Sequence, residues 1–127
     1  MEPAKRGVIL FAHGARDPLW RTPFEAVRQR VQAQLPATPV RLAFLEMMTP
    51  DLATAVAELA QDGCSEITVV PLFLGQGGHV RRDLPDLIAQ LQGAHPQLAI
   101  GAVPATGEDP AVLAAIAQYC VGALSRQ

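Results

Sequence analysis

Three side chains able to hold a metal or move a proton stand just beyond apolar runs in this sequence. His13 follows Val8-Ile9-Leu10-Phe11-Ala12, and Glu46 follows Val40-Arg41-Leu42-Ala43-Phe44-Leu45. His79 follows Ile67 through Leu74 across the loop Gly75-Gln76-Gly77-Gly78. Neutral imidazole and carboxylate are borderline-to-hard ligands that suit iron, cobalt, nickel or zinc. Three protein ligands leave open positions on the ion, the arrangement of a catalytic rather than a structural site. Histidine also titrates close to neutrality, so each imidazole can equally serve as a base. Plainer readings exist for each residue. A loop histidine is commonly a surface or hydrogen-bonding group, and Glu46, just ahead of Thr49-Pro50, is placed to face the N-terminal dipole of a helix. His95, before Pro96 in a polar connection, is read as a loop residue without a site role.

Other chemistries find little support. The loop Gly75-Gln76-Gly77-Gly78-His79 lacks the Lys-Ser/Thr of a P-loop and the spacing of a dinucleotide fingerprint. Its glycines, Gly77 and Gly78 above all, suit close approach of backbone to a large flat ligand, or an unusual placement of His79. Neither serine, Ser65 or Ser125, has a nucleophile-elbow context. Lys5 is the only lysine, which speaks against Schiff-base chemistry. Arg16, Arg21, Arg81 and Arg82 flank the two histidine loops. They are either solvated surface charges or bidentate partners for carboxylates or phosphates of an anionic ligand.

The elements that must position these residues alternate along the chain. Continuous apolar runs at Val8–Ala12, Val40–Leu45, Ile67–Leu74 and Leu98–Val103 read as strands buried on both faces. Pro71 weakens the third late in its course and Gly101 weakens the fourth. Helical spacing joins Phe24, Val27, Val31 and Leu35, then Leu52, Val56 and Leu59, then Leu84, Leu87, Ile88 and Leu91. Thr49 as N-cap with Pro50 at the first helical position opens the second helix, and Gly63 closes it. Asp109-Pro110 opens a last helix whose inward face is Val112, Leu113, Ile116, Tyr119 and Cys120. Strand-helix alternation means right-handed crossovers and a parallel sheet. The expectation is a flavodoxin-like α/β three-layer sandwich with a four-stranded parallel sheet and helices on both faces, one domain over residues 1–127. Ligands of such sheets bind beyond the carboxyl ends of the strands, where His13, Glu46 and His79 all fall.

Composition sets the outer bounds. A chain of 127 residues, 50% hydrophobic and 17% charged, is a globular protein able to bury its own core. A net charge of −2 gives no electrostatic footprint for nucleic acid or an anionic membrane. No apolar run approaches the ~18–20 residues of a membrane span. Cys64 and Cys120 lie far apart, with no C-x-x-C spacing, and are read as small buried apolar residues of a reduced, cytoplasmic protein.

The loops resemble those of the sirohydrochlorin chelatases of the short CbiX/SirB type, the single-domain class II chelatases. The matching stretches are Phe11-Ala12-His13-Gly14-Ala15-Arg16-Asp17-Pro18; Ala43-Phe44-Leu45-Glu46 with Pro50 and Leu52; and Val70-Pro71-Leu72-Phe73-Leu74 through Gly78-His79-Val80 to Asp83-Leu84-Pro85. His13 and Glu46 are 33 residues apart, as are Glu46 and His79. Ala15 departs from the family, which usually has serine there, but removes none of the expected ligands. The resemblance implies ATP-independent insertion of Co²⁺, Fe²⁺ or Ni²⁺ into sirohydrochlorin, a tetrapyrrole bearing eight carboxylates. The metal is then a substrate, and no cofactor is bound permanently. It also implies that His13 and His79 hold the metal or accept pyrrole protons, that Glu46 completes the cluster, that Arg16, Gly77, Gly78, Arg81 and Arg82 meet the tetrapyrrole, and that two copies form a homodimer.

Two other functions use similar residues. A non-catalytic carrier of metal or tetrapyrrole would need the same ligands without turnover. A histidine phosphatase also has His-Gly after a first strand, but it places arginine immediately before the histidine, where this chain has Ala12.

Overall fold

The apolar run behind Arg6 becomes the centre of a sheet. The computed structural model describes residues 4–75 and 77–126, the side chains of residues 78–81 excepted. Strands β1 (Arg6–Ala12), β2 (Val40–Phe44), β3 (Glu66–Pro71) and β4 (Ala99–Ala102) pair in parallel in the order β2-β1-β3-β4. Helices α1 (Thr22–Gln34), α2 (Leu52–Gln61) and α3 (Gly78–Ala94) make the crossovers, and α4 (Pro110–Ser125) follows β4. This is the flavodoxin-like arrangement. Leu10 lies level with Leu42 on one side and Val70 on the other, so β1 is hydrogen-bonded along both edges.

The period-two alternation of a strand divides the core into two layers. Ile9, Phe11, Ile67, Val69 and Ile100 face α2 and α3, where Leu52, Val56, Leu59, Leu84 and Leu91 cover them. Leu10, Ala12, Val40, Leu42 and Phe44 face the other way, towards Trp20 and the α1 residues Phe24 and Val31. Each fully buried Leu, Ile or Phe contributes about 1.5–3 kcal/mol, so these layers hold the sheet flat against its helices. Two glutamines clip helix ends to strand starts in the same way. Gln32 Nε2 donates to the carbonyls of Leu35 and Thr38 while its Oε1 accepts from Val40 N. Gln92 repeats the device on His95, Leu98 and Ile100.

Three local readings need correction. Asp51, not Thr49, caps α2: its carboxylate accepts from Thr54 N at 2.8 Å, while the Pro50 carbonyl is tied to Phe44 N at the end of β2. The glycine-rich loop is shorter than expected, because α3 begins at Gly78 behind Gly77 as N-cap. His79 therefore stands in the first helical turn. The helix runs on through Pro85, whose missing N–H forfeits one helical hydrogen bond without ending it. The third concerns α4. Its expected inward face, Val112, Leu113, Ile116, Tyr119 and Cys120, is not buried, and Cys120 is exposed, whereas Cys64 is buried as expected. The helix leaves its own sheet instead of returning to it.

The Asp51 cap has a pH signature. The Thr54 side chain and backbone N–H both hydrogen-bond the carboxylate and hold its pKa below the ordinary 3.8. The stabilisation is therefore present above the unfolded-state pKa and is lost as pH falls through the lower folded-state value. Asp51→Ala is expected to cost about 1 kcal/mol at neutral pH. Urea unfolding at pH 7 and again near pH 3 should show that difference shrinking.

Candidate functional site

The loops beyond β1 and β2 continue to pair after the strands end. Leu45 N donates to Ala12 O at 2.9 Å and Glu46 N donates to His13 O at 3.0 Å. This ties the backbones of two predicted ligands directly to each other. The approach requires glycine at position 14, where φ is +92° and a Cβ would stand 1.8 Å from Glu46 O. Glu46 then turns back sharply, with Met48 N donating to its carbonyl at 2.8 Å and Met47 in the left-handed region at φ 65°. Glu46 is exposed at the rim, and His13 is half-buried behind it.

His13 rests on an aromatic floor. Its ring lies over Phe73 at 4.3 Å between centroids, and Phe73 in turn meets Phe11 edge-on at 5.9 Å. Phe73 is buried, and its carbonyl accepts from Gly107 N at 2.9 Å and Thr106 Oγ at 3.3 Å. These bonds pin the loop after β3 to the segment after β4, and the ring contact sets Phe73 against His13. Sequence reasoning passed over Phe73 as one more apolar strand residue; its place two residues beyond Pro71 was the available signal.

Arg16 is exposed and lines an open cleft of about 480 Å³ with Ala15, Pro18, Arg21, Met47 and Thr49. Arg21 forms one wall of it, donating to Thr49 O at 2.9 Å and lying 5.1 Å over the Phe44 ring. The 3-10 turn Pro18–Arg21 that sets this arginine was also not foreseen, although Asp17-Pro18 is its start signal: Asp17 accepts from Leu19 N at 2.9 Å. A larger cleft of about 770 Å³ lies beyond, along the β2 edge, and includes Glu46, Arg21 and Arg41. Large apolar side chains stand exposed on all three loops, Leu19 after β1, Met47 after β2 and Leu74 after β3.

Of the remaining predicted residues, Gly77 is exposed at the head of α3 and Arg82 is exposed in its second turn. Gly78, His79 and Arg81 lie in the first turn of α3, and their side chains are outside the described residues. Among the described residues no three His, Cys, Asp or Glu side chains form a metal-holding group. His95 is the C-cap of α3, on the opposite edge of the sheet.

A doubly wound parallel sheet carrying a histidine and a carboxylate on hydrogen-bonded loops at its carboxyl edge is the framework of a ligand-binding α/β protein. The chain belongs to the CbiX family, whose model matches residues 7–121. It is 35% identical to the sirohydrochlorin cobaltochelatase of Methanopyrus kandleri over 81 residues, 64% of this chain and 57% of that protein. The chain thus spans little more than half the length of that relative. A CbiX protein of Marinobacter aquaeolei has the same fold with a TM-score of 0.86 and 31% identity, over 96% of this chain and 99% of that one. The sirohydrochlorin chelatase SirB of Bacillus subtilis subspecies spizizenii, solved with cobalt, aligns with a TM-score of 0.73 and 27% identity, over 83% of this chain and 45% of SirB.

Proposed function

We propose that this protein inserts a divalent metal, Co²⁺ or Fe²⁺ with Ni²⁺ as a third substrate, into sirohydrochlorin. The observation that carries the reading is the junction of His13 and Glu46 at one open mouth, through the 3.0 Å bond between their backbones. Membership of a family that includes cobaltochelatases supports it. His79, at the head of α3 on the neighbouring strand's exit, is the third member of the proposed set. Insertion must remove two pyrrole protons while ring nitrogens replace water around the ion. His13 and His79 hold the ion or take those protons, and Glu46 supplies negative charge at the rim, where a hydrated cation arrives. The exposed Leu19, Met47 and Leu74 suit the apolar face of a macrocycle, and Arg16, Arg81 and Arg82 suit its carboxylates.

An anaerobic absorbance assay with sirohydrochlorin and each of Co²⁺, Fe²⁺ and Ni²⁺ tests the proposal. Metal-dependent conversion faster than the uncatalysed reaction is the expected result. Binding of metal and tetrapyrrole without such acceleration would make the protein a carrier. The arginines have their own signature. Arg16→Ala and Arg82→Ala are each expected to raise KM about 3–10-fold with little change in kcat, since such contacts hold ground and transition states alike. Because both side chains are exposed, the effect should diminish in high salt. Steady-state kinetics at two ionic strengths would return these side chains to solvated surface if KM stayed unchanged.

A further inference from the structure

The side chain of Arg21 is committed to its own chain. Its Nη1 donates to Thr49 O at 2.9 Å, and the centre of its guanidinium lies 5.1 Å from the centroid of the Phe44 ring. Phe44 is the last residue of β2, and Thr49 stands where the chain returns towards α2. One side chain therefore touches both ends of the loop that carries Glu46. Phe44 is buried and gives a fixed floor, while the Arg21 side chain is 40% exposed above it.

The contact asks for arginine. A planar cation can lay its face on an aromatic ring while its edge donates to a carbonyl, whereas an ammonium is a point charge that does one or the other. The position of Arg21 is set by the chain behind it. Asp17 accepts from Leu19 N to start the 3-10 turn, Trp20 N donates to Asp17 O at 3.0 Å, and the Trp20 ring packs against Phe24 at 4.4 Å. Glu25, one helical turn on, is 3.9 Å from Arg21 Nε, too far to compete with the bond to Thr49.

The loop so held has two anchors on the segment after β1. At one end Glu46 N donates to His13 O, and at the other Thr49 O accepts from Arg21. Between them Met47 takes φ 65° and Met48 packs against the core layer under α1. Arg21, Met47, Met48 and Thr49 line both clefts, so the strapped loop is the wall between the space of about 480 Å³ beside Arg16 and the space of about 770 Å³ along β2. Glu46 stands on that wall.

We propose that Arg21 is a positioning residue for metal insertion: it straps the Glu46 loop to the segment after β1 and so holds Glu46 at the mouth beside His13, without itself touching metal or tetrapyrrole. This role rests on the reading of the protein as a chelatase. A role confined to the charge of Arg21 has the opposite sign. The guanidinium repels an arriving divalent cation, so removing the charge alone would strengthen metal binding. Removing a strap weakens it.

Arg21→Met keeps a flexible apolar stem for Phe44 and removes the donors. It is expected to raise the metal concentration for half-maximal rate about tenfold and to leave the KM for sirohydrochlorin within about twofold. Arg21→Lys, which keeps the charge and a donor, should recover part of the loss. In a Glu46→Gln background, Arg21→Met should add less than about a twofold further effect, since a residue that acts through Glu46 has nothing left to position. Amide exchange reads the strap without turnover: Arg21→Met should speed exchange at Glu46 N–H about tenfold and leave Leu10, in the middle of β1, unchanged. An unchanged or lowered metal requirement, a rise confined to the KM for sirohydrochlorin, or full additivity with Glu46→Gln would each overturn the proposal. Unchanged exchange at Glu46 would overturn it as well, and that result does not depend on insertion. A wild-type chain without turnover would sink the chelatase reading, while the exchange measurement would still decide the strap.

Discussion

Replacing His13 by alanine is expected to lower the rate of metal insertion into sirohydrochlorin by about 100-fold or more, the range for loss of a positioned acid–base group. His13 is the described residue through which the proposed chemistry most directly runs. It stands half-buried at the end of the central strand, over Phe73, with its carbonyl holding the Glu46 backbone. Alanine keeps that backbone bond and removes only the ring, so the fold should survive. His79→Ala is expected to behave in the same way, and Glu46→Gln, which keeps volume and removes charge, should lose less, with the larger deficit at low metal concentration. His95→Ala is the control. Its backbone closes α3, with its N–H on Leu91 O at 3.0 Å, and the substitution leaves that bond in place. Anaerobic turnover of purified, folded protein decides the matter: a His13→Ala variant with near-wild-type rate would remove this residue from the chemistry.

The part of the site legible from sequence was the part that strand ends dictate. An apolar run buried on both faces must end where polarity returns, so His13 and Glu46 could be placed at the carboxyl edge from the pattern alone. What the pattern did not carry was contact across loops. Neither the bond from Glu46 N to His13 O nor the Phe73 floor follows from spacing, because both depend on how two chain exits pack. Periodicity misled at α4 for a related reason. Apolar residues at helical spacing mark a face that a helix can bury, and they do not say that its own sheet lies against that face. The inward face assigned to Val112, Leu113, Ile116, Tyr119 and Cys120 was sound as a helix and wrong as a contact with its own sheet. At α3 and α2 the errors were local ones. Helix α3 starts at Gly78, ahead of the apolar spacing that begins at Leu84, and the Asp51 carboxylate outcompeted the Thr49 hydroxyl as a cap.

The second large effect concerns Gly14, which carries no functional group. Gly14→Ala is expected to cost about 2–3 kcal/mol, from two additive sources. The backbone there has φ +92°, where a side chain costs roughly 1–2 kcal/mol. A Cβ would also stand 1.8 Å from Glu46 O, well inside contact distance, and that oxygen belongs to backbone rather than to a flexible side chain. The loops must therefore part, breaking the bond from Glu46 N to His13 O, which adds about 1 kcal/mol. Separation by as little as 1 Å would misplace His13 relative to Glu46, and displacements of that size cost on the order of 100-fold in rate. Gly93→Ala makes the contrast, since nothing beyond its chain neighbours and its own helix backbone lies within 4 Å of its Cβ position in α3. There alanine should stabilise by about 0.5–1 kcal/mol through the lower entropy of the unfolded chain. Urea unfolding of both variants, with insertion rates alongside, separates the two arms: the stability loss tests the loop junction itself, and the rate tests what the junction is for. Wild-type stability in Gly14→Ala would mean that the loops after β1 and β2 are not held together as described, and the geometric basis for joining His13 to Glu46 would go with it.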